Sequence, residues 1–165
     1  DNSDVRADGK EIGEITVKGD SVTQGYWKLP EETAKAIRNG WLYTGDMATI
    51  DSEGYVNIVD RKKDMIITGG ENVYSTEVEH VIYEHPAVLE VAVIGVPDET
   101  WGETVKAFVV LKKGMQATGE DIAAFVRERI AHFKAPRQVA FLDSLPRTGS
   151  GKITKQVLRD EGMKN

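Results

Sequence analysis

The 165-residue sequence contains no cysteine. Disulfides and thiolate metal sites are therefore excluded, and the composition suits a reducing cytoplasm, the expected location. Histidine is scarce: His80, His85 and His132 are dispersed and show no metal-ligand spacing, so they read as surface or half-buried residues. Positive charge is in deficit. The net charge of −6 disfavours nonspecific binding to nucleic acid or anionic membranes. No apolar run is long enough to span a membrane, and no secretory signal pattern opens the chain. Repeats and low-complexity segments are also missing. The first residue is Asp1 rather than Met, and the opening DNSDVRADGKEIGEI is polar and turn-like. The expectation is a piece of a longer chain with an absent N-terminal partner. What is there, 40% hydrophobic and 29% charged residues, describes a soluble globular protein of one ordinary domain or two small ones.

Glu14–Lys18 alternates as a strand does. Pro30-Glu31-Glu32-Thr33 opens a helix to about Arg38, stopped by Asn39-Gly40. Trp41–Asp46 and Tyr55–Val59 flank Asp51-Ser52-Glu53-Gly54, a hairpin signal. The first sixty residues are thus β-rich. Five consecutive charges, Asp60 to Asp64, make the best domain boundary. MIITGGENV then reads as a short strand interrupted by Gly69-Gly70. Thr76-x-x-Glu79 reads as a capping box for a helix to about Glu84. Val88–Val96 and Thr104–Leu111 are β-branched strands separated by the loop PDETWGE. Gly119–Ile130 predicts an amphipathic helix with Ile122, Phe125, Val126 and Ile130 on one face. Val139–Leu142 predicts a strand, and Ile153–Arg159 begins a terminal helix. Helices and strands in no strict βαβ order argue for an α+β domain from about residue 64.

RTGSGKITK, Arg147 to Lys155, has the look of a phosphate-binding loop. A Walker A loop reads G-x-x-x-x-G-K-[ST], with a hydroxyl after Lys for magnesium. Here Pro146 occupies the first glycine position and Ile153 follows Lys152, so that reading fails. A lysine on a glycine-rich loop near the C-terminus is left to explain.

Taken in order, GWLYTGD, VDRKKD, TGGENVYSTEVE, GVPDETWGE and LPRTGSGK are far more specific than any one of them. The set resembles the C-terminal part of the adenylate-forming superfamily, which includes acyl- and aryl-CoA synthetases, firefly luciferase and peptide-synthetase adenylation domains. The resemblance spans nearly the whole chain, and TGGEN followed by Glu77-Val78-Glu79 looks most like fatty-acyl or aryl CoA ligases. It implies a small C-terminal α+β lid domain, 63–165, with a short mixed sheet packed by helices. Residues 1–62 would be the β-rich end of a large N-terminal adenylation domain that is missing here. The implied reaction is that of an acid-thiol ligase: ATP activates a carboxylic acid as an acyl-adenylate, and CoA then displaces AMP. ATP and CoA are the implied cofactors. Mg²⁺ is expected with ATP, although no residue identified in this chain ligates it.

The same resemblance assigns residues. Asp46 matches the aspartate that accepts hydrogen bonds from both ribose hydroxyls; alone it reads as a turn aspartate after glycine. Arg61 matches an arginine on the nucleotide's ribose or phosphate. Lys63 falls at the hinge on which the lid changes pose, with Lys62 the neighbouring candidate. Lys152 matches the lysine that reaches the substrate carboxylate and α-phosphate, carried in on a flexible Gly-Ser-Gly arm. Gly69 and Gly70 match the lining of the pantetheine tunnel, or else form a strand bulge. Trp101, Phe133 and Lys134 match positions near CoA. Ile67 stands where luciferase has a further lysine, which argues against a luciferase-like oxidation.

Three readings compete: the acyl-CoA ligase lid, with a fatty acid preferred over an aryl acid; a noncatalytic CoA-binding or protein-docking module; and a peptide-synthetase fragment. Alone, the chain is expected to be inactive, since it carries no upstream phosphate loop and no acyl pocket. The exposed sheet edge of residues 1–60 invites self-association.

Overall fold

The computed structural model describes residues 3–162. The chain forms two compact units, Asp1–Lys63 and Asp64–Asn165. None of the described helices is long and apolar enough to cross a membrane.

The first unit is built on one long strand. β3 (Trp41–Ile50) pairs antiparallel with β1 (Gly13–Val17), β2 (Ile37–Arg38) and β4 (Val56–Arg61). Helix α1 (Pro30–Ala36) starts on a proline with Glu31 and Glu32 in its first turn, as expected, but stops short of Arg38. Asn39 and Gly40 both take positive φ, 53° and 77°, and make the two-residue turn that twists with a hairpin. Ile37 and Arg38 are drawn into the sheet opposite Leu42 and Trp41. At the β3–β4 end, Asp51 Oδ1 accepts the Glu53 and Tyr55 amides. Among the described residues of this unit only Ala48 and Asp60 are buried, while Trp27, Tyr55 and Ile58 lie open to solvent.

The second unit is a mixed sheet between helices. β7 (Val88–Asp98) and β8 (Gly102–Leu111) form a long antiparallel hairpin. The opposite edge of β8 takes β5 (Ile66–Thr68) at one end and, in parallel, β9 (Gln138–Phe141) along its middle. Alternation sorts the side chains. Val91, Val93, Val105, Ala107 and Val109 pack under α2 (Ser75–Tyr83) and α3 (Gly119–Arg127). Ala92, Ile94, Val96, Phe108 and Val110 pack on the other face with Leu158 of α4 (Lys155–Gly162). Each fully buried Val or Ile is worth roughly 1.5–3 kcal/mol, so neither face is stable without its cover. A sheet buried on both faces reads as unbroken β-branched runs, which is why the two strands are so plain in the sequence.

Four local expectations are corrected. MIITGGENV is not one interrupted strand: Gly69 and Gly70, φ 59° and 85°, turn β5 into β6 (Glu71–Val73) as a tight hairpin. PDETWGE is not a loop, because Pro97 and Asp98 pair with Glu103 and Gly102 and leave only Glu99–Trp101 as the turn. Thr76 and Glu79 do not make a capping box. α2 begins two residues earlier, with Tyr74 as an N-cap that makes no side-chain cap bond, and Glu79 reaches the sheet instead, accepting the Val93 amide at 2.8 Å. α4 starts at Lys155, because Ile153 is held in a bridge with Arg147.

The capping box lies on α3. Thr118 Oγ1 accepts the Asp121 amide, and the Asp121 carboxylate accepts from both the Thr118 hydroxyl and amide. These bonds from Thr118 hold the Asp121 carboxyl below its usual range. A depressed carboxyl contributes stability that is present above its unfolded pKa and is lost as pH falls through its folded value. Amide exchange in the first turn of α3 is expected to stay slow through the pH range where ordinary carboxylates protonate and to accelerate only below it. Asp121→Asn should abolish that acid transition; an unchanged profile would contradict the cap.

Candidate functional site

The first unit brings Asp46 and Arg61 together. They are direct partners across β3 and β4, and Arg61 Nε lies 3.1 Å from Asp46 Oδ1. Gly45, at φ 76°, bends the strand just before Asp46, and the Asp46 amide donates to Thr44 Oγ1. The arginine side chain is 60% exposed, so the pair adds little stability and its polar atoms stay within reach of a ligand. Lys62 is committed to Glu14 at 2.7 Å. Lys63 is exposed, lies in the short 3-10 turn Lys62–Asp64, and is the last residue of the first unit.

The second unit gathers Gly69, Trp101 and Arg137. The Gly69 amide donates to the Trp101 carbonyl at 2.9 Å. A Cβ on Gly69 would sit 2.8 Å from the indole ring. On the ring lies the Arg137 guanidinium, 4.8 Å from the centroid, within cation–π range. Asp98 Oδ1 accepts the Thr100 and Trp101 amides and shapes the turn that presents the indole. The sequence reading missed Arg137. The residue follows Pro136 just before β9, and only the parallel pairing of β9 with β8 brings it to the hairpin end. Arg137 also lines a groove of about 590 Å³ with Arg127, His132 and Glu120. Phe133 is 42% exposed. Lys134 is the less available of the two, since both Glu77 oxygens hold its ammonium at 2.7 Å.

Lys152 is presented by a closed turn. Thr148 N–H donates to the Lys152 carbonyl at 2.8 Å, Gly151 N–H to the Thr148 carbonyl at 2.9 Å, and Lys152 N–H to Thr148 Oγ1. The Arg147 guanidinium closes the base by donating to the Gly151 carbonyl. Gly151, φ 85°, supplies the left-handed residue the turn needs. The glycines therefore serve a hydrogen-bonded turn and not the slack arm expected from the sequence. The lysine side chain is exposed, and no ion pair or hydrogen bond engages its Nζ among the described residues. The described residues also contain no group of three or more His, Asp or Glu side chains placed to hold a metal ion.

This geometry has counterparts in known proteins. Residues 77–152 match the family model of the AMP-binding enzyme C-terminal domain. The chain is 54% identical over 155 residues to a long-chain-fatty-acid–CoA ligase of Bacillus subtilis (strain 168), covering 94% of this chain and 28% of the relative. It is also 52% identical over 149 residues to a feruloyl-CoA synthase of Amycolatopsis, covering 90% of this chain and 30% of that relative. Among solved structures, ATP-bound MatB from Rhodopseudomonas palustris superposes with a TM-score of 0.86 at 45% identity, covering 92% of this chain and 30% of that one. The chain thus spans under a third of the length of these relatives.

Gly69→Ala tests the Trp101 contact. The substitution places a Cβ against the indole at a positive φ, and should destabilise the second unit by about 1–3 kcal/mol while shifting the near-ultraviolet circular dichroism of Trp101. Unchanged stability and spectrum would contradict the packing.

Proposed function

We propose that the chain, whose residues 77–152 match the AMP-binding enzyme C-terminal domain, is the C-terminal part of an ATP-dependent acyl-CoA synthetase of the adenylate-forming superfamily, as its similarity to CoA ligases supports. In the first half-reaction a carboxylate oxygen attacks the α-phosphorus of ATP, and the bond to pyrophosphate breaks. In the second the CoA sulfur attacks the acyl carbon, gives up its thiol proton, and AMP leaves. The observation that carries the reading is the Lys152 ammonium, exposed and unengaged on a turn that its own backbone holds closed. A fixed cation has most effect where two anions must meet, as the carboxylate and the α-phosphate do.

The other residues take parts that suit their chemistry. Asp46 accepts the ribose hydroxyls, and Arg61 beside it contacts ribose or phosphate oxygens. Trp101 offers a flat face for the adenine of CoA, with Arg137 in reach of its phosphates. Gly69 and Gly70 leave room for the pantetheine arm, and Phe133 and Lys134 lie in the same CoA-facing role. Lys63, solvated at the junction of the units, is the hinge.

A change of pose is supported by the hairpin itself. Trp101 caps one end of β7–β8, whereas Arg147, at the base of the Lys152 turn, pairs with Glu90 towards the other. From Glu90 to Asp98 the strand runs roughly 26 Å at about 3.3 Å per residue. A rigid unit that carries the base of its lysine turn and its indole towards opposite ends of one strand turns to offer each to one reaction centre.

A fatty acid is the preferred substrate. An aryl acid is the second reading, favoured by similarity to the feruloyl-CoA synthase nearly equal to that with the fatty-acid ligase. The apolar side chains open on the first unit, Trp27 and Ile58 among them, suit packing against the missing N-terminal adenylation domain. Magnesium, expected with ATP, finds no ligand set among the described residues. Cytoplasmic residence is part of the same proposal.

The test is Lys152→Ala in the full-length ligase, with the half-reactions assayed separately. Adenylation from ATP and acid should fall by about 3–4 kcal/mol of barrier, while CoA transfer from preformed acyl-adenylate stays near wild type. Both rates near wild type would make Lys152 an ordinary surface residue.

A further inference from the structure

We propose that Glu79 of α2 and Lys155 of α4 are positioning residues for Lys152, holding the root of its turn in place so that the ammonium arrives at one point; the inference rests on Lys152 being the adenylation lysine. Lys155 is the first residue of α4 and lies three positions beyond Lys152. Its Nζ sits 2.7 Å from Glu79 Oε1 and donates to Ser75 Oγ, also at 2.7 Å. The two side chains are 18% and 20% exposed, and Ser75 is fully buried. Glu79 Oε1 accepts the Val93 amide as well. One carboxylate thus ties the start of α4 to a helix on the opposite side of the sheet and to the edge strand β7 between them.

The clamp differs in kind from the other ion pairs near by. Both Lys155 and Lys152 are lysines beside the same turn, yet the Lys155 ammonium is held by two partners, Glu79 and Ser75, and that of Lys152 by none among the described residues. On the other side of the turn Arg147 pairs with Glu90 on β7. Further along α4, Arg159 pairs with Asp64, the first residue of the second unit, with both side chains mostly buried. Leu158 is fully buried between these anchors. Four ties on so short a segment exceed what a surface helix needs. Breaking one partner of a partly buried pair leaves the other charge uncompensated, so the segment would shift rather than stay. A lysine with several rotatable bonds has no other means of defining where its charge arrives, and misplacement by about 1 Å can cost a hundredfold in rate.

The experiment uses the full-length ligase with Lys155→Met, Lys155→Arg and Glu79→Gln, read in both half-reactions, with Lys152→Ala as reference. Lys155→Met and Glu79→Gln should lower kcat for adenylation on the order of 10–100-fold, leave KM for ATP little changed, and spare CoA transfer from preformed acyl-adenylate. Lys155→Arg, which keeps charge and reach, should recover most of the loss. Equal losses in both half-reactions would show a merely structural clamp and overturn the proposal, as would no loss in either. If Lys152→Ala leaves adenylation intact, the reading of Lys152 falls and takes this inference with it. If Lys152→Ala abolishes adenylation while Lys155→Met does not, the positioning role alone is wrong. Should Lys155→Met not accumulate as folded protein, amide exchange in the Glu79→Gln enzyme decides: faster exchange at Thr148 and Gly151 supports the clamp, and unchanged exchange overturns it.

Discussion

The pairing of β7 with β8 governs the second unit. Each strand buries both of its faces, so the hairpin demands α2 and α3 on one side and α4 on the other. Those covers do more than exclude water. Docking α4 through Leu158 fixes where the Lys152 turn ends, and the turn at the far end of the hairpin sets Trp101 against Gly69. The residues assigned to chemistry are thus extensions of a packed core, placed by strands and helices rather than by loops alone.

The first unit works differently. With little buried side-chain surface, it relies on β3 as a shared partner for three other strands. The Asp46–Arg61 pair is a direct cross-strand pair in that sheet. Its place is set by backbone register, which is robust, while its ion pair is weak and open to exchange for a ligand's oxygens. Such a division, firm backbone and loose side chains, fits the nucleotide role proposed for the pair.

Much of this was readable in the sequence, and the limits are physical. Val88–Val96 and Thr104–Leu111 announced themselves because both faces are buried. The ordered motifs carried the family resemblance, and with it Asp46, Arg61 and Lys152. Short-range pattern failed where tertiary contacts overrule it. Thr76 and Glu79 satisfy a capping-box spacing, but Glu79 is more use against Val93 and Lys155. Ile37 and Arg38 have helical neighbours, but the Asn39-Gly40 turn offers them a strand partner. Arg137 on Trp101 and Lys155 on Glu79 join segments far apart in the chain, and a single sequence has no local signal for such pairs. The Gly-Ser-Gly stretch suggested slackness, whereas Thr148 on one side and Arg147 beneath it close the turn.

The central claim is that Lys152 delivers its charge to the reacting carboxylate and phosphate. Chemical labelling of lysines in the full-length ligase, with and without a stable acyl-adenylate analogue, tests it most directly. The account predicts that the analogue protects Lys152 while Lys63 remains reactive. Equal labelling of Lys152 with and without the analogue would contradict it.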